Sequence, residues 1–231
     1  MDQSLKPLDV VYSGAFGAER QRVLRNTYAL LALSMVPTVL GAWLGVVTQF
    51  SFFSASPVIG FIAFMAIAFG FFFAIEKYKN SGIGVMLLLG FTFFMGLMLS
   101  RLIGSVLGFS NGGQLIALAF GGTSLVFVGM ATLASTIKRD LSNMSKWLFM
   151  GAIVILLAGV ANIWLQLPAL MLAISAMAVV IFSAFILVDL KRIIDGGETN
   201  YVTATLAIYL DVYNVFQSLL SILGIVGGER D

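Results

Sequence analysis

The chain has 231 residues, of which 60% are hydrophobic and only 10% are charged, and this composition excludes an ordinary soluble domain. It contains no cysteine and no histidine, which excludes disulfides, thiolate nucleophiles, the usual zinc and haem sites and every triad that needs imidazole. We therefore expect neither an enzyme nor a cofactor, and the net charge of +2 gives no argument for a nucleic-acid partner. The oxygen ligands that remain suit protons and hard cations such as Ca²⁺.

Apolar segments of about twenty residues follow one another along almost the whole chain. At 1.5 Å per residue each is long enough to cross a hydrocarbon core of about 30 Å, where only a helix satisfies its own backbone. The seven predicted spans are Thr27–Thr48, Phe53–Ile75, Ile83–Leu107, Leu115–Ile137, Trp147–Leu167, Ala169–Val188 and Tyr201–Val226.

These spans predict an all-α fold, a polytopic membrane protein with seven transmembrane helices. Residues 1–26 are predicted to be a mobile cytoplasmic tail, residues 27–226 the transmembrane domain, and residues 227–231 a short non-cytoplasmic tail. Pro37 should bend the first helix, whereas Pro57 and Pro168 stand near segment starts, where proline is tolerated.

The positions of Lys and Arg predict the orientation. Eleven of the thirteen basic residues fall in the first tail and in the connections that share its side, leaving only Arg101 and Arg230 for the other side. Basic residues accumulate on the cytoplasmic face, so the amino terminus is predicted to be cytoplasmic and the carboxyl terminus to lie outside.

The seventh segment carries a small and polar stripe, with steps of four and three that keep its members on one helix face. The stripe consists of Asn200, Ala204, Ala207, Asp211, Asn214, Ser218 and Ser221. A helix with such a stripe belongs against other helices or a water-filled cavity, so we expect the seventh helix at the centre of the bundle. We expect it to be the most buried of the seven, with Asp211 hidden from lipid.

Two interpretations of Asp211 remain open. As an ionisable group well inside a span, it is a candidate proton or cation site. Alternatively, it is a neutral acid that hydrogen-bonds Asn214 or a neighbouring helix and stabilises packing.

Asp189 closes the sixth segment, just before Lys191 and Arg192. It is either an interfacial acid paired with Arg192 or a partner of Asp211, because the Gly196-Gly197 turn folds the last two helices together. By helix rise alone Asp211 lies deeper by about 10 Å, so contact requires an unwound start to the seventh helix or an offset between the two.

Several blocks of sequence resemble the YccA branch of the Bax inhibitor-1 family. In chain order they are RNTY at 25–28, RDLS at 139–142, GVANIWLQLPA at 159–169, GGETNY at 196–201 and YNVFQSLLSILG at 213–224. The resemblance implies a seven-helix bundle with a central last helix, in a bacterial inner (plasma) membrane.

The resemblance implies two activities. Calcium-leak members of the family have a proton-sensing pair of aspartates, which by position are similar to Asp189 and Asp211. The YccA branch is instead associated with modulation of the membrane-bound AAA protease FtsH. Leak members also have an arginine at the end of the second helix that latches onto the sixth-helix acid. Lys77 and Lys79 are the candidate substitutes for that arginine here, and neither offers a bidentate fork.

Two carboxylates held together at low dielectric cannot both ionise cheaply, so they would titrate as a coupled pair. We therefore expect a pH-sensitive cation leak with Ca²⁺ as the candidate transported ion. The alternative is a modulator of an FtsH-type protease with no permeation path. In that case the protease would bind this chain through its amino-terminal tail.

Overall fold

The computed structural model describes residues 6–52 and 56–229, and all regular structure in these ranges is helical. Each helix is long and apolar enough to cross a membrane, which confirms the prediction of seven spans. The helices are α1 (Lys6–Val47), α2 (Pro57–Tyr78), α3 (Gly82–Leu107), α4 (Gly112–Thr136), α5 (Ser142–Leu165), α6 (Pro168–Ile194) and α7 (Tyr201–Gly227).

The helix starts follow local sequence. Pro57 and Pro168 occupy the first turn of α2 and α6, where the missing amide proton would be unpaired in any case. α1 starts earlier than predicted, at Lys6, and ends at Val47; Pro37 lies inside it, and the bend expected there stays a prediction. A helix keeps its internal hydrogen bonds where it continues from the hydrocarbon into water. It can therefore extend beyond the end of the apolar span. Residues 1–5 of the predicted tail lie outside the described residues.

α7 is the central helix, as predicted. It packs against α1, α2, α3, α4 and α6. Its span is 44% buried, compared with 39% for α1 and α3 and 6% for α5, which packs on the outside against α6. Asp211 is only 6% exposed. The buried residues of α7 include Ile208, Tyr209 and Val215 as well as four members of the stripe, namely Ala204, Asp211, Ser218 and Ser221, so the helix is enclosed on several faces.

Glycines bring α1 and α3 into backbone contact. A Cβ on Gly41 would overlap the Phe93 carbonyl, and a Cβ on Gly96 would overlap the Thr38 carbonyl. The GxxxG spacing of Gly41 and Gly45 therefore serves packing within the chain.

The end of α7 is tied to the turn between α3 and α4. The Asn111 side-chain amide donates to the Gly227 carbonyl at 2.7 Å, and the Ser110 amide donates to the Glu229 carbonyl at 3.1 Å. These bonds fix the described part of the carboxyl-terminal tail, through Glu229, against the bundle.

Candidate functional site

The α6–α7 hairpin brings Asp189 and Asp211 together. Asp189 lies about 8 Å inside the end of α6, and Asp211 lies about 15 Å inside the start of α7. α7 is regular from its first residue, with the Ala204 amide bonded to the Asn200 carbonyl at 3.0 Å. The two helices are therefore offset along their axes, and no unwound segment is needed.

Asn200 sets this offset. Its side-chain oxygen caps α7 by accepting hydrogen bonds from the Val202 and Thr203 amides. Its side-chain nitrogen donates to the Lys79 carbonyl at 3.3 Å and to Asn80 Oδ1 at 2.8 Å. The start of α7 is thereby held at the turn between α2 and α3.

The carboxyl groups of Asp189 and Asp211 lie within hydrogen-bonding reach of each other across the interface between α6 and α7. Asp211 is buried and Asp189 is half-buried. Among the described residues, Asp211 Oδ2 has no hydrogen-bond donor. Such a pair can hold a proton between its two carboxyl groups, and losing that proton would place two negative charges in contact.

Two nearby charges act on Asp189, one in the last turn of α6 and one in the connection to α7. Arg192 attracts Asp189 and Glu198 repels it. Arg192 forms no ion pair with Asp189 within 4 Å in the described part of the chain. The basic residue next to it, Lys191, is buried and pairs with Asp195 at 2.5 Å.

The candidate latch residues lie elsewhere. Lys79 pairs with Glu76, and the Lys77 ammonium lies 5.4 Å from the centre of the Tyr78 ring. The structure brings neither lysine to the acids, and the latch stays a prediction.

The polar stripe runs from the acid pair towards a cavity at the opposite end of the bundle. Ser218 and Ser221 are buried, and Asn214 is half-buried and donates to the Leu210 carbonyl at 2.7 Å. Ser221 lines a cavity of about 500 Å³ between α3, α6 and the end of α7. Asn214 does not hydrogen-bond Asp211, so the neighbour of Asp211 is Asp189.

Sequence reasoning missed the buried tyrosines of α7. The Tyr209 hydroxyl lies 2.9 Å from Thr38 Oγ1 and donates to the Thr92 carbonyl at 3.4 Å. The Tyr213 hydroxyl donates to the Met95 carbonyl at 3.2 Å. Their spacing of four residues was the available signal, because both then lie on the face opposite the polar stripe and need partners there.

The described residues contain no group of three or more acidic side chains that could hold a metal ion. The acid pair is thus a site of two carboxyl groups.

Comparison with known proteins adds family evidence. The sequence profile of the family described as inhibitor of apoptosis-promoting Bax1 matches residues 20–228. The chain is 40% identical to an Escherichia coli K12 protein named modulator of FtsH protease YccA, over 88% of this chain and 90% of that one. The same match is found to a protein of another E. coli strain named inner membrane protein YccA. A Neisseria meningitidis protein is 36% identical over 96% of this chain and 98% of its own.

Proposed function

Because this chain belongs to the Bax inhibitor-1 family of integral membrane proteins, we propose that it is a pH-sensitive cation leak whose proton switch is the Asp189–Asp211 pair. The observation that carries this proposal is the contact between two carboxyl groups across the α6–α7 interface, one of them buried with an unpartnered oxygen. Structural packing alone favours a partner that donates a hydrogen bond without depending on protonation.

The energetic scale fits a switch. Two unit charges about 4 Å apart interact with about 4 kcal/mol at an effective dielectric constant of about 20. A bias of that size shifts an equilibrium between two helix arrangements by about a thousandfold. Loss of the shared proton therefore changes the balance between closed and separated positions of α6 and α7. Separation of the two helices would extend the cavity at Ser221 along the polar stripe as far as the acid pair.

The test is cation flux through the purified protein in liposomes. Asp211→Asn keeps the size of the side chain and removes its charge, so flux should lose most of its pH dependence, and Asp189→Asn should act alike because the titration is shared. Glu19→Gln is the control, since this exposed acid at the same end of the bundle lies outside the pair and forms no ion pair among the described residues; it should leave the pH dependence intact.

Flux of Ca²⁺ and monovalent cations should be measured between about pH 5 and 8, above the reference aspartate value of about 3.9. Absence of any flux from the unmodified protein in that window would exclude the leak. Equal effects of Glu19→Gln and Asp211→Asn would exclude a specific pair.

A second function, modulation of an FtsH-type membrane protease, is favoured by the name of the E. coli relative. The amino-terminal part of α1 supports this alternative, because it carries charged residues beyond the span and includes Arg20, whose guanidinium lies against the Gly196 turn. A protease that held this segment would also touch the hairpin that carries the acids.

The two functions separate on deletion of residues 1–18. If the protease binds this tail, the deletion should abolish modulation of FtsH-dependent substrate degradation in proteoliposomes and leave cation flux unchanged. Removal of residues 230–231 at the other end is the control and should change neither. Joint loss of both activities in a folded protein would contradict separate roles.

A further inference from the structure

Arg101 is a cation near the end of α3. It lies six residues before Leu107, which is about 9 Å along the helix axis. The other Lys and Arg residues of the described chain lie at the opposite end of the bundle. Arg101 is exposed, and no acidic group lies within 4 Å of its guanidinium in residues 6–52 and 56–229. Since a charged group at this depth is costly in a bilayer, a counter-ion would stabilise it.

Arg101 lines a cavity of about 460 Å³ between α3, the end of α1 and the segment that follows α1. Gly45 and Gly104 line the cavity. A Cβ on Gly45 would overlap the Ser100 side chain, and Gly104 lies on the α3 wall. The cavity is open to the surroundings of the bundle.

Gln49 lines the same cavity in a conformation that glycine usually adopts. Its φ is +52°, and it follows the end of α1. Two hydrogen bonds close the turn: the Phe50 amide donates to the Gly45 carbonyl at 2.8 Å, and the Gln49 amide donates to the Val46 carbonyl at 3.2 Å. A non-glycine residue in this region costs about 1 kcal/mol, and such strain often accompanies a ligand contact. A glutamine amide beside a guanidinium provides two kinds of donor for an anionic oxygen.

We propose that this pocket, the Arg101 pocket, binds the phosphate group of a phospholipid in the leaflet opposite the basic loops. A guanidinium binds phosphate oxygens in a bidentate fork, and the bond is charge-assisted. The occupant is a lipid rather than free phosphate because the cavity lies at the end of the α1 span and its lining includes Val46 and Phe50. Exposed apolar side chains of the same end of α1, including Leu44 and Val47, offer a surface for acyl chains.

Thermal unfolding of the full-length protein in detergent, titrated with phosphatidylglycerol, tests the proposal. Phosphatidylglycerol should raise the melting temperature in a saturable manner. Diacylglycerol, which lacks the phosphate, and inorganic phosphate, which lacks the chains, should each have little effect. Arg101→Gln should weaken the apparent lipid affinity about tenfold or more. Arg101 is exposed, so this substitution leaves the core intact.

Two further variants make the result specific. Arg139→Gln removes an exposed arginine at the opposite end and should bind phosphatidylglycerol like the unmodified protein. Gly104→Leu retains Arg101 but fills the cavity, and should weaken binding as Arg101→Gln does. The proposal would be overturned if Arg101→Gln bound the lipid unchanged, or if Arg139→Gln lost as much affinity. It would also be overturned by an Arg101-dependent response to inorganic phosphate or to diacylglycerol alone.

Discussion

Asp211 and Tyr209 are both buried polar residues of α7, but their surroundings differ. The Tyr209 hydroxyl is 2.9 Å from Thr38 Oγ1 and also donates to a backbone carbonyl of α3, and the side chain is 1% exposed. Asp211 faces another acid and retains an oxygen without a donor among the described residues. A satisfied group is suited to holding helices together, whereas an unsatisfied acid is suited to a change of protonation.

Tyr209→Phe should therefore destabilise the fold without changing the pH dependence of flux. The ring still fits, and the loss of the hydroxyl contacts should cost about 1 kcal/mol, or a few °C in melting temperature for a chain of this size. Tyr201→Phe is the control, because Tyr201 is half-buried at the start of α7. Melting curves in detergent measure both; an equal drop for the two variants would contradict a specific role for the Tyr209 hydroxyl.

Each helix contributes differently to the position of the site. α7 supplies Asp211 and the polar stripe, α6 supplies Asp189, and Asn200 fixes the offset that aligns the two acids. α1 and α3 form the close-packed support of α7, through glycines where the two backbones touch. Displacement of α1 from α3 would thus reach Tyr209, which contacts residues of both.

Gly96→Ala should separate α1 from α3, since the added Cβ overlaps the Thr38 carbonyl and backbone cannot move aside cheaply. We expect a loss of about 1–3 kcal/mol of stability, measured as a lower melting temperature. Gly121→Ala on α4 is the matched control, because a Cβ there meets no atom within 4 Å. It should be neutral or slightly stabilising, by about 0.5–1 kcal/mol, from helix propensity. Indistinguishable melting temperatures would show that the α1–α3 contact tolerates a methyl group.

At the scale of the whole molecule, the seven spans of the described residues predict that the start of α1 and the end of α7 lie on opposite sides of the membrane. The basic residues gather at the end that holds the start of α1 and the hairpin turn of the acid pair. That distribution predicts a cytoplasmic acid pair and an Arg101 pocket in the outer leaflet.

The natural chain has no cysteine, so single substitutions test this orientation directly. In intact cells, a membrane-impermeant maleimide should label Gly113→Cys, at the exposed start of α4, and should leave Arg139→Cys unlabelled until the membrane is opened. The reverse pattern would invert the orientation and place the Arg101 pocket in the inner leaflet.

Sequence alone determined what depends on one segment at a time. The length of the apolar segments predicted the seven spans. The repeat of small and polar residues through Asp211 predicted that α7 is central, because a helix face that packs against other helices has its own periodic residue pattern. The extension of α1 to Lys6 was missed, since hydropathy reports the edge of the hydrocarbon and not the end of a helix.

Tertiary structure decided what depends on the register between segments. Asp189 meets Asp211 because α7 starts offset from the end of α6, and that shift is set by Asn200 bonding to the turn at Lys79 and Asn80, which is distant in sequence. The partners of Tyr209 and the pocket around Arg101 likewise join α1 or its end to α3 or α7. Such contacts require relative shifts and rotations of whole helices, which the pattern of any one helix does not contain.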